Sequence, residues 1–124
     1  MTLEQLSRLN EKFQTKASNL AELLPGGNLV TFSTATIRSA KKIDILLKKV
    51  LTVKGEQAFY TNLDKLEEEM DELIFLMDRL DQANREQKIR AITDTAKKGY
   101  ELISLYGLCC DQIIEKKSRL AKEI

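Results

Sequence analysis

Apolar residues along this chain recur at alternating steps of three and four, which is the repeat of one face of an α-helix. The first stripe is Leu6, Leu9, Phe13, Ala17, Leu20 and Leu24. The second is Ile37, Ala40, Ile43, Leu47 and Val50, with Leu46 and Leu51 widening the apolar face. The third, Phe59, Leu63, Leu66, Met70, Leu73, Met77 and Leu80, keeps the alternation without a miss and reads as a coiled-coil-like seam. The fourth is Ile89, Ile92, Ala96, Gly99, Ile103, Tyr106, Cys110, Ile113, Leu120 and Ile124, with Lys117 as its one interruption.

Local signals bound these stripes. Thr2 and Gln5 stand in the spacing of a helix N-terminal capping box. Pro25-Gly26-Gly27 stops the first helix. Thr31, Ser33, Thr34 and Thr36 offer several caps for the second, whose start falls between Val30 and Thr34. Lys54-Gly55 reads as a stop or as a kink into the third helix, and residues 81–85 as a short loop. The pattern predicts an all-α, single-domain chain over residues 1–124, with helices over about 3–24, 32–53, 56–80 and 86–122. Short loops make successive helices antiparallel neighbours, an up-down-up-down four-helix bundle.

The fourth helix departs from this scheme between Leu102 and Cys110, where it is apolar almost all round. A helix apolar on every side is buried on every side. Leu102, Leu105, Leu108 and Cys109 therefore predict a second buried face and a homo-oligomer interface.

Composition narrows the chemistry. Apolar residues make up 43% and charged residues 31%, which places the chain among folded globular proteins rather than disordered ones. There is no histidine, so Ser-His-Asp and Cys-His nucleophiles, His-containing zinc sites and Glu-x-x-His di-iron pairs are excluded. The Pro25-Gly26-Gly27 loop lacks the Lys-Ser/Thr of a phosphate-binding P-loop. No catalytic residue, metal or cofactor is expected, and the chain reads as not an enzyme. Cys109 and Cys110 are adjacent, a spacing at which a disulfide is strained, and they read as reduced thiols in the core or at an interface. Neither an N-terminal signal core nor an 18-residue uncharged apolar run is present, so a cytoplasmic chain without a membrane partner is expected.

Charge is segregated although the net is only +1. Residues 29–54 carry six Lys/Arg against Asp44, a net of +5, while residues 56–81 carry nine acids against Lys65 and Arg79, a net of −7. One reading pairs the two helices through these charges at a few tenths of a kcal/mol per exposed pair. The other reading is that Arg38, Lys41, Lys42, Lys48 and Lys49 form a nucleic-acid-binding stripe. The Lys116-Lys117-x-Arg119 run extends such a patch or simply complements a helix C-terminus. The acids around Met70 flank a core position and read as a solvated face rather than a metal site. Tyr60, Tyr100 and Tyr106 offer rings for stacking on bases, although Tyr106 falls in the core stripe with its hydroxyl at the rim.

The segment IRSAKKIDILLKKV, followed after a break by EQAFYTNLDKLEEEMDELIFLMDRL, resembles the four-helix-bundle proteins encoded by intervening sequences of bacterial 23S rRNA genes. It also resembles their relatives, the accessory variability determinants of diversity-generating retroelements. Ile37, Arg38, Ala40 and Ile43 match the family's helix opening after a proline-containing loop; Phe59, Leu66, Glu69 and Leu73 match the helix that follows. Where the family has an Asn-Ile-Ala-Glu-Gly-like stretch, this chain has Asp44-Ile45-Leu46-Leu47-Lys48. The resemblance implies a cyclic, pentameric assembly with an accessory role and, as partner, RNA, DNA or a nucleic-acid-handling enzyme. The expected function is a non-catalytic oligomeric adaptor; the alternative is a protein–protein interaction bundle with no nucleic-acid role.

Overall fold

A computed structural model describes residues 2–23, 28–85 and 89–123, with side chains placed over 2–20, 31–85 and 89–118. It contains four α-helices and, among the described residues, no strand: α1 (Leu3–Leu23), α2 (Asn28–Thr52), α3 (Glu56–Ala83) and α4 (Arg90–Glu123). The predicted Pro25-Gly26-Gly27 loop, Leu24, the residues 86–88 assigned to the start of the fourth helix, and Leu120 and Ile124 of its stripe lie outside what is described at this level.

The Thr2 amide donates to Gln5 Oε1 (2.8 Å) and the Gln5 amide to Thr2 Oγ1 (3.1 Å), so both orphan donors of the α1 terminus are met as the capping box requires. Gly55 has φ 99°, in the left-handed region that favours glycine, and there the chain breaks. Helices α2 and α3 are therefore separate, not one kinked rod. Asn84 closes α3 and opens the turn into α4. Its side chain accepts from the Ile89 amide (2.8 Å) and donates to Thr93 Oγ1 (2.8 Å), tying the two helix ends together through one buried amide.

Each helix packs on two others: α1 on α2 and α4, and α3 on α2 and α4, with no close backbone approach, among the described residues, across the α1–α3 or α2–α4 diagonal. One continuous core fills the centre, built from Phe13, Leu20, Ile43, Leu47, Leu66, Leu73, Met77, Leu80, Ile103 and Tyr106 with their neighbours. At about 25 cal/mol per Å² of apolar surface removed from water, this core supplies the main favourable term of folding. Gly99 lets α4 approach α3 closely, because a Cβ there would meet the Met77 side chain and, at 3.1 Å, the Phe13 ring.

Several sequence expectations are corrected. In α1 the stripe holds at Leu6, Phe13, Ala17 and Leu20 but not at Leu9, which is 36% exposed while Asn10 sits in the core at 1%. Helix α2 begins at Asn28, ahead of the expected start, because its hydroxyl residues are not caps. Ser33 and Thr36 are buried within the helix, and Ser33 Oγ donates to the Ala17 carbonyl of α1 at 2.6 Å. Leu51 is exposed and does not widen the core face. Helix α3 runs through the residues assigned to its loop as far as Ala83. Lys117, the interruption in the fourth stripe, keeps its place: its ammonium lies 3.7 Å from the centroid of the Phe59 ring and 4.9 Å from that of Tyr60. Its stem covers apolar surface while its charge is satisfied by the ring faces.

Candidate nucleic-acid interface

Turning about 100° per residue, α2 directs Ala40, Ile43, Leu47 and Val50 inward and leaves its opposite side to solvent. Arg38, Lys41, Lys42, Lys48 and Lys49 all lie on that outer side and are all exposed. The structure thus brings the five predicted cations onto one surface. Ile45 lies among them, 53% exposed. Beside it, a shallow groove of about 300 Å³ between α2 and α3 is lined by Lys42, Leu46 and Lys49 on one wall and Lys65, Glu68 and Glu69 on the other.

The expected pairing of basic α2 with acidic α3 is not made through ion pairs. Among the described residues, no ion pair joins the two helices. Lys48 binds Asp44 on its own helix at 2.9 Å, and the remaining pairs, Arg8–Glu4 and Lys98–Glu101, are also within single helices. What joins α2 to α3 is apolar packing, together with a 3.4 Å hydrogen bond from Ser39 Oγ to the Glu69 carbonyl.

Beneath this face lies a polar cluster that periodicity did not reveal. Asn10 Nδ2 donates to the Ala40 carbonyl and to the Tyr106 hydroxyl, both at 2.9 Å, and its Oδ1 accepts from Gln14. The Tyr106 hydroxyl and Ser7 Oγ each donate to Asp44 Oδ1 at 2.8 Å. Tyr106 is itself fully buried, and its hydroxyl reaches half-buried Asp44, which also pairs with exposed Lys48. Burial opposes ionisation of Asp44, but the hydrogen bonds from Lys48, Ser7 and Tyr106 and the charge of Lys48 prevail and hold its carboxyl below its ordinary value. Burial pushes the Tyr106 hydroxyl well up; Asn10 opposes this and Asp44 reinforces it. The cluster fixes the register of α1, α2 and α4 and is fully partnered, so it reads as structural. No local signal in the sequence marked it, because the stripe ran through Leu9 and the Ala40 and Tyr106 partners of Asn10 lie in other helices.

The predicted α4 interface is divided by the structure. Leu102 is 3% exposed and belongs to the bundle's own core, so it is not available to a second copy. Leu105 and Cys109 are half-buried against that core, and only Leu108, at 59%, stands clear. Burial pushes the Cys109 thiol up, and burial with nearby acidic groups takes Cys110 to about 11. Neither is poised as a nucleophile at neutral pH.

The tyrosines have partners, although Tyr60 stays 47% exposed. Tyr60 meets Phe59 edge-on at 5.2 Å, and Tyr100 donates to Asp78, which pushes its hydroxyl up to about 12. Among the described residues no group of three or more acidic or thiol side chains is placed to hold a metal ion, and no helix is long and apolar enough to cross a membrane. No protein-family model, curated protein or solved structure matches this chain.

Proposed function

We propose that this chain is a non-catalytic, antiparallel up-down-up-down helical bundle that binds the phosphate backbone of RNA or DNA through the outer face of α2. The observation that carries this reading is the exposed set Arg38, Lys41, Lys42, Lys48 and Lys49, of which, among the described residues, only Lys48 forms an ion pair. Cations already neutralised by α3 would have little to offer a phosphate. Exposed cations that α3 does not pair gain by displacing the counterions of a nucleic acid. The antiparallel arrangement is supported by opposed contact order: Ser7 meets Asp44, Asn10 meets Ala40 and Ala17 meets Ser33.

Self-association is part of the proposal, as is an accessory role beside a nucleic-acid-handling enzyme. Leu105, Leu108 and Cys109 remain as the patch a second copy would cover. Light scattering of the native chain and of Leu108→Glu tests this: an oligomer that falls to a monomer supports it, and a native monomer removes it.

Charge reversal of Lys41, Lys42, Lys48 and Lys49 to Glu tests the nucleic-acid reading. Binding to a labelled oligonucleotide at low salt should fall by at least about a hundredfold with the helical content unchanged. Unchanged affinity would refute it. A second reading, a purely protein-binding bundle, is favoured by one observation: Phe75 is 53% exposed on acidic α3, with Arg79 over its ring at 5.7 Å. It predicts no retention of nucleic acid at any salt.

A further inference from the structure

Resting on the phosphate-binding reading above, the geometry points to double-stranded nucleic acid as the ligand class of α2, with single strands as the weaker one. The cations are not a single file. At about 100° per residue, Lys41 and Lys48 fall together on the flank of α2 toward α1, where Asp44 meets Ser7. Arg38, Lys42 and Lys49 fall roughly 90° further round, toward α3, where Lys42 and Lys49 line the groove with Glu68 and Glu69. Thr34 and Ile45 occupy the strip between the two rows.

On a helix about 10–12 Å across with its side chains, rows so placed hold their charges on the order of 10 Å apart. Facing backbones of a B-form duplex are separated by about 6 Å across the minor groove and 12 Å across the major groove. Two cation rows therefore match two phosphate rows. A single strand presents one row and engages one flank at a time.

The face also lacks what single-strand binders use. Such proteins stack bases on aromatic rings, at about 1–3 kcal/mol per base. The one aromatic residue of α2, Phe32, is packed against the core. Tyr60 is 47% exposed, but it lies with exposed Phe75 on the acidic helix, where phosphates are repelled, and Phe59 and Lys117 already meet its ring. With no stacking platform beside the cations, binding rests on charge and shape, which favours the stiffer and more densely charged ligand. Glu68 and Glu69 beside Lys42 and Lys49 bar a duplex from spreading onto α3 and confine it to the α2 ridge.

The test is fluorescence anisotropy of the full chain with a labelled 20-base-pair DNA duplex, the RNA duplex of the same sequence, and each single strand, at low salt. Two variants accompany it, Lys41→Glu/Lys48→Glu and Arg38→Glu/Lys42→Glu/Lys49→Glu, each checked for helical content and melting temperature. The expected result is duplex affinity at least about tenfold above single-strand affinity. Loss of either row should bring the duplex down to the single-strand level. Tighter binding of the DNA duplex supports the B-form groove match, whereas tighter binding of the RNA duplex overturns that match and leaves duplex binding standing. Equal affinity for duplex and single strand, both weakened by the variants, overturns the duplex inference and leaves phosphate binding standing. Binding to neither overturns both.

Discussion

Helices α2 and α4 each carry a surface that looked functional in the sequence, and the fold treats them differently. The α2 surface is charged and stays outside: all five cations are exposed. The α4 surface is apolar, and the bundle takes most of it in, with Leu102 buried and Leu105 and Cys109 half-covered. The reason is the cost of burial. An unpaired ammonium in the interior costs several kcal/mol, so a charged stripe has nowhere to go but the surface. A leucine gains by being covered, and any neighbouring helix can cover it. A stripe of cations in one helix thus predicts exposure from sequence alone, whereas an apolar stripe predicts only that something covers it.

Within α4 itself, Leu102 and Leu108 stand in opposite environments. Leu102→Ala should destabilise the fold by about 2–5 kcal/mol, the range of buried leucines, whereas Leu108→Ala should stay within about 0.5 kcal/mol in dilute protein. Denaturant titration of both variants measures the difference. Equal costs would mean that the two residues share one environment, contrary to their burial.

The next effect joins the two surfaces. Asn10→Ala leaves the Ala40 carbonyl and the Tyr106 hydroxyl without their donor under the α2 face. A loss of about 1–3 kcal/mol is expected, with nucleic-acid affinity unchanged because no exposed cation moves. Asp44→Asn should separate stability from binding. The carboxyl of Asp44 is held below its ordinary value by its hydrogen bonds, so it stabilises the folded state above the ordinary carboxylate range and that contribution is lost as pH falls through it and below. The variant should lose stability at neutral pH and show a shallower decline toward acid. It should also bind phosphate more tightly, because Lys48 is released and the one acid of the α2 face is gone. The smallest effect concerns the thiols. Half-buried Cys109 should react slowly with a disulfide reagent at pH 8, and buried Cys110 only on unfolding, which thiol counting with and without denaturant reads directly.

Much of this architecture was legible. The α3 seam is core at every position except half-buried Met70, because seven apolar residues in unbroken alternation leave one face to bury. The Thr2–Gln5 box was legible because both partners lie within one turn. Hidden from the sequence were the residues whose partners are far away in it. Asn10, Ser33 and Ser39 occupy interior positions because the Ala40, Ala17 and Glu69 carbonyls accept from them across helix interfaces. A polar side chain satisfied from another helix carries no local mark. The same limit moved the start of α2 and exchanged Leu9 for Asn10. For the candidate site, the exposure of its five cations was readable from spacing. That no ion pair joins α2 to α3 among the described residues was not, because it depends on where two helices turn their charged faces.

The central claim is that the outer cations of α2 meet phosphates, and the salt dependence of binding measures it most directly. The affinity of the native chain for a DNA duplex, followed from about 50 to 200 mM salt, should fall with a log–log slope of about −4 to −4.5, the value for five neutralised phosphates. The slope should collapse toward zero in the Lys41, Lys42, Lys48 and Lys49 reversal variant. A native slope near zero, or one the variant leaves unchanged, would contradict the account.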